Sequence, residues 1–154
     1  MPTILEGKPF NTDKPIAIVV SRYNLSITQN LLDGAIKTLT DEGVADSSIT
    51  IAWVPGAWEL PLIAARLARS EGFGAVICLG AVIRGETTHD QYINQQVSHS
   101  LGQLSLETEI PIIFGVLTCN SLEQAIHRSG GNVGNKGNDC ALAALEMMAL
   151  NSQI

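Results

Sequence analysis

The chain has 154 residues and a mass of 16.4 kDa, with 45% hydrophobic, 16% charged and 5% aromatic residues. That length suits one domain, and area scaling from about 24,000 Å² open to about 7,500 Å² folded lets roughly two-thirds of the surface be buried. Composition excludes intrinsic disorder, and the longest apolar runs, such as Pro15 to Val20 and Ala75 to Leu79, are too short to cross a bilayer.

The formal charge is −6, from 9 basic and 15 acidic residues. Nucleic-acid binding needs a cationic surface and no basic run exists, although a local site can still hold one small anion. The N-terminus, MPTILEGKPF, has no basic cluster followed by an apolar core, so a cytoplasmic protein is expected.

Four Val- and Ile-rich runs read as strands: Ile16 to Val20, Ile49 to Val54, Ala75 to Leu79 and Ile112 to Leu117. They are nearly continuous rather than alternating, which predicts burial on both faces of a parallel sheet. Helical stripes separate them. Ile27, Leu31, Leu32, Ala35, Ile36 and Leu39 form the first, with Gly43 as its stop. Leu60, Ile63, Ala64, Leu67 and Ala68 form the second, and Ile93, Val97, Leu101 and Leu104 a sparser third. Asn120 is the expected cap of a short fourth helix, with Glu123 three residues on. Cys140 to Leu150 makes the last, with Leu142, Leu145 and Met148 as burial candidates. The alternation predicts an α/β three-layer sandwich: a four-stranded parallel sheet, flavodoxin-like, with helices on both faces. The whole chain reads as a single domain. Residues 1–12 stand outside the pattern as an N-terminal arm, in which Thr3 to Glu6 can form a short strand against a neighbouring subunit.

Ligands collect at the carboxyl ends of the strands in open parallel sheets. Those ends carry Ser21 to Asn24, Pro55 to Glu59, Gly80 to His89 and Thr118 to Asn120. The third segment has glycines that let backbone approach a ligand and a helix start that favours an anion. Its Gly80 and Gly85 have phosphate-loop spacing, but Glu86 stands where an NTPase needs lysine. An ordinary strand-to-helix turn fits the pattern equally well. His89 can move protons near neutral pH or simply cap the helix. Tyr23 and Trp58 can sandwich a flat heterocycle beside Glu59; alternatively Trp58 covers the core and Glu59 starts a helix. His99 is expected in solvent, and His127 at a helix C-terminus. The three cysteines lack disulfide or zinc spacing. Cys78 and Cys140 read as core residues, and Cys119 as a thiol that can be exposed.

Taken in order, these segments resemble the lumazine synthase family. The pieces are Arg22-Tyr23-Asn24, Trp53 to Glu59, Leu79 to His89, Pro111 to Val116, Glu123 to Arg128 and Gly134 to Gly137. The resemblance implies condensation of 5-amino-6-(D-ribitylamino)uracil with 3,4-dihydroxy-2-butanone 4-phosphate to give 6,7-dimethyl-8-ribityllumazine, the penultimate step of riboflavin biosynthesis. A non-catalytic flavin- or lumazine-binding shell protein of the same fold is the alternative. No metal or redox cofactor is implied. By position, His89 would be the proton donor and acceptor. Tyr23, Ala57, Trp58, Glu59, Ala81, Val82, Ile83, Phe114 and Lys136 would bind the aminouracil. Glu86 and Thr87, through main-chain N–H groups, and Arg128 would bind the phosphate. Phe114, Arg128 and Lys136 would come from a neighbouring subunit. Asp90 stands where the family usually has an aromatic residue, Asn132 where it often has lysine, and the Glu86 side chain is expected to point away. The family forms pentamers, which in some members stack or close into icosahedral capsids, and association with riboflavin synthase is a further implied partner. Residues 129 to 137 have the compact length of shell-forming relatives. Two other readings of the fold fit poorly: an FMN carrier needs a hydroxyl- and glycine-rich loop after the first strand, and a receiver module needs aspartates at the strand ends.

Overall fold

A computed structural model of the chain describes residues 1–10, 12–131 and 134–154. Four parallel strands form the sheet: β1 (Ile16–Ser21), β2 (Ile49–Val54), β3 (Ala75–Ile83) and β4 (Ile112–Cys119), in the order β2-β1-β3-β4. Between them lie α1 (Leu25–Asp41), α2 (Leu60–Arg69) and α3 (His89–Thr108). After β4 come α4 (Leu122–Arg128), a small antiparallel pair, β5 (Ser129–Gly131) with β6 (Gly134–Asn135), and α5 (Lys136–Asn151). This is the expected flavodoxin-like three-layer sandwich.

Alternation along the two central strands divides the core. Ile16, Ile18 and Val20 of β1, with Ala75, Ile77, Leu79 and Ala81 of β3, point to the layer built by α1 and α5. Ala17 and Val19, with Val76, Cys78 and Val82, point to the layer built by α2 and α3. Both faces are therefore apolar, which is why these strands read as unbroken hydrophobic runs. Burying one large aliphatic side chain of this kind stabilises the fold by about 1.5–3 kcal/mol.

The two edge strands behave differently from their sequences. Burial on both faces was expected for β2 and β4, yet Ile51 and Trp53 of β2 are each 39% exposed and Phe114 of β4 is 41% exposed. Position explains this: β2 and β4 have one neighbouring strand each, so their apolar runs lack cover on part of their surface. Three local expectations also shift. The cap of α4 is Ser121, whose side chain accepts from Gln124 N, while Gln124 Oε1 accepts from Asn120 N at 2.7 Å. The cap thus sits one residue later than Asn120 and Glu123 suggested. Leu142 is exposed, because on α5 the sheet-facing stripe runs through Cys140, Ala141, Ala144, Leu145 and Met148. Cys119 is buried, since β4 continues through it.

Helix α1 stops as expected: Gly43 adopts φ +102° after the last turn, a conformation that costs glycine little. The N-terminal arm is coil, with no strand at Thr3 to Glu6. Gly7 is buried against the Glu146 backbone, Gln153 Nε2 donates to Glu6 O, and Phe10 packs on the α1/α5 core. No helix among the described residues is long and apolar enough to cross a membrane.

Helices α1 and α5 meet through small residues. A Cβ on buried Gly137 would collide with the Leu31 carbonyl, and one on Gly34 would meet the side chains of Asn138 and Asn135. Gly137→Ala is accordingly expected to destabilise the protein by about 1–3 kcal/mol, read as a lower urea midpoint at unchanged slope. An unchanged midpoint would show that the helices do not pack this closely.

Candidate active site

Parallel strands place all their carboxyl ends on one side of the sheet, and three connections converge there. After β1 the chain stays zipped to β2: Arg22 N donates to Val54 O at 2.8 Å and Tyr23 N to Pro55 O at 3.0 Å. Asn24 then takes a left-handed conformation, φ 63°, which asparagine tolerates better than most residues. Its side chain does not cap α1. Instead Nδ2 donates to Ala81 O at 2.9 Å, pinning this loop to β3.

The β2 connection is held by its own carboxylate. Glu59 Oε2 accepts from Gly56 N at 3.0 Å, and Glu59 N donates to Gly56 O at 3.2 Å. This closes the 3-10 turn Ala57–Glu59 ahead of α2. The turn leaves Trp58 pointing outward, 52% exposed, so Trp58 is not a lid on the core. Tyr23 is 73% exposed. The β3 connection leaves beside β4, with Arg84 N donating to Cys119 O at 2.8 Å, and delivers His89 as the first residue of α3. The His89 N–H points to Thr87 Oγ1 at 3.3 Å.

Together these segments enclose a cavity of about 400 Å³. It is lined by Tyr23, Ala57, Trp58, Glu59, Ala81, Val82, Ile83, Thr87 and His89, all expected site residues. Glu86 is exposed and does not line it, although Gly85 and Thr87 on either side do. Two exposed aromatic rings, a carboxylate, backbone along a strand end and an imidazole suit a flat, polar, ring-shaped ligand.

Phe114, Arg128 and Lys136 lie elsewhere. They line a second groove of about 550 Å³ beyond β4, with Thr118, Cys119, Gln124 and His127. Within one chain, then, the expected site residues fall into two separate surfaces. His127 Nε2 lies 3.6 Å from Glu123 Oε1, one turn back on α4, and His99 is exposed. Asn132 lies outside the described residues, as does Val133 in the same loop.

Gly56, Gly85, Asp90 and Ile93 also line the first cavity. None was among the expected site residues. Ile93 had a readable signal: it stands four residues after His89, one helical turn along the same face.

The fold and the cavity define a small-molecule-processing protein of the flavodoxin-like α/β type. Residues 13–152 match the family model for 6,7-dimethyl-8-ribityllumazine synthase, and the chain belongs to that family. Membership implies a transferase-type enzyme with lumazine synthase activity in riboflavin biosynthesis.

Cys78 and Cys140 stand apart from both grooves. Burial pushes the Cys78 thiol up to about 12, helped by neighbouring Cys140. Burial likewise lifts Cys140 to about 11, against the pull of Lys136 and with a further push from Asp139. Cys119 is raised by burial, against the opposing charge of Arg128. Because these folded values exceed the ordinary 9.0, the thiols' contribution to stability is complete below that value and lost as pH climbs through the folded ones. At pH 8 a thiol reagent should therefore modify Cys78 and Cys140 only after denaturation, and the urea midpoint should fall between pH 9 and about 12. Rapid labelling of Cys78 in the native protein would contradict its burial.

Proposed function

We propose that the protein condenses 5-amino-6-(D-ribitylamino)uracil with 3,4-dihydroxy-2-butanone 4-phosphate, releasing 6,7-dimethyl-8-ribityllumazine, phosphate and water. The observation that carries this is the convergence of Tyr23, Trp58, Glu59 and His89 on one cavity from three strand ends. Tyr23 stacks on the pyrimidine, and Ala57, Trp58 and Glu59 hold the ribityl chain and ring edge. Backbone of Ala81, Val82 and Ile83 reads the uracil, whose paired amide groups match strand backbone donors and acceptors. The loop at Glu86 and Thr87 offers N–H groups to the phosphate.

The 5-amine attacks the ketone, and water leaves to give an imine. Phosphate departs by elimination, taking the electron pair of its C–O bond. The ribityl-bearing nitrogen then closes the ring with loss of a second water. Each step relocates protons, and His89 at the cavity wall is the group to carry them. Holding two reactants together supplies much of the rate, since effective molarities are large.

Phe114, Arg128 and Lys136 complete the site from a neighbouring copy, with Arg128 gripping the leaving phosphate. Two features support association. The exposed surface is 8564 Å², about 1,000 Å² above the scaling value for a compact monomer of this mass. The exposed apolar residues Ile51 and Trp53 also lie on a strand edge that another chain can cover. Such an interface is heterologous and closes as a ring; the lumazine synthase family's pentamer supplies the number of copies, so a pentamer or a multiple of it is the working assembly. The exposed start of the arm, residues 1–5, reaches the neighbouring subunit in that ring, while Glu6, Gly7 and Phe10 stay packed on their own chain.

Mixing the protein with both reactants should generate lumazine fluorescence, and sedimentation of the same sample should show a pentamer or larger. His89→Ala should lower kcat by about 10²–10⁴-fold. Arg128→Ala should raise KM for the butanone phosphate by about tenfold or more. No fluorescence from the wild-type protein would end this assignment, and a fully active monomer would end the shared site.

A further inference from the structure

Helix α3 buries Val97, Leu101 and Leu104 against the sheet. Helical spacing continues that stripe backwards through Asn94 to Asp90, which places two polar side chains on an inward face. Their oxygens are buried without partners: neither Asp90 Oδ1 nor Asn94 Oδ1 has a hydrogen-bond donor among the described residues. Four residues apart, the two lie on the same side of the helix. Asp90 also lines the cavity, between His89 and Ile93.

Buried acceptors are normally satisfied, and one left unsatisfied costs stability. Asp90 keeps such an acceptor at the wall of the ligand cavity, and an acceptor so placed calls for a donor that arrives with the ligand. We propose that Asp90 is a specificity-determining residue that accepts hydrogen bonds from the N–H and O–H groups of the aminopyrimidine reactant. This rests on the proposed function. A carboxylate accepts but does not donate, and it repels a phosphate. Asp90 therefore sorts the two reactants within one cavity. The donor-rich, uncharged ring is drawn to the α3 wall, and the anionic reactant is kept from it.

Asp90→Asn preserves shape while removing the charge and one acceptor. In the assembled enzyme it should raise KM for the aminouracil about tenfold, leave KM for the butanone phosphate within about twofold, and change kcat little. Calorimetry with the aminouracil alone should show Kd weakened by about the same tenfold factor. An active Asp90→Asn enzyme with both KM values and Kd unchanged would overturn the assignment and leave the proposed function standing. So would a variant that loses only assembly or thermal stability, because Asp90 would then pair with a neighbouring copy or serve the helix end. If the wild-type protein neither binds the aminouracil nor makes lumazine, the proposed function falls and the role of Asp90 falls with it.

Discussion

The pairing of β1 with β3 carries the molecule. Ile16 aligns with Ala75 and Val20 with Leu79, in parallel, and every β1 and β3 residue in this register is fully buried. Because the side chains alternate, one ladder anchors two cores, and helices are obliged to cover both sheet faces. Parallel direction has a second consequence. All four strands end on the same edge, so loops distant in sequence meet there without any further device. The Asn24 bond to Ala81 then fixes the first loop against the third strand.

A chain that buries its centre so completely spends its exposed apolar surface elsewhere. Tyr23, Trp58, Ile51, Trp53 and Phe114 all project from the strands or strand ends with little cover. Singly such residues need no explanation, but two of them frame the cavity and one lines the second groove. The polar exceptions point the same way. A buried acceptor on α3, Asp90 Oδ1, stands at the cavity wall, whereas the Cys78 and Cys140 thiols sit in the packed layers, where burial keeps them protonated.

The separation of the two groups of site residues follows from topology. Strand β4 lies at one edge of the sheet and β2 at the other, so residues after β4 are carried away from the turn at Ala57–Glu59. A single copy leaves Arg128 and Lys136 facing outward from their own groove. In the proposed ring of copies that geometric limit would become a shared pocket, with the cation supplied by one chain and the imidazole by the next.

Much of this was legible in the residues. Continuous Val and Ile runs marked β1 and β3 because burial on both faces demands apolar side chains at every position, and stripes of period 3.6 marked the helices. The clustering of Tyr23, Trp58 and His89 was readable once the strands were known to be parallel. Three things were decided only in the folded chain. Edge or centre is a property of strand order, so the exposure of β2 could not be read from Ile49 to Val54. The cap of α4 depended on whether Ser121 or Asn120 took extended backbone, since both side chains are competent caps. The inward turn of Asp90 and Asn94 was set by how α3 rotates to bury Val97, Leu101 and Leu104. A local pattern specifies which face of an element is apolar; what lies opposite that face is fixed only when the other elements pack against it.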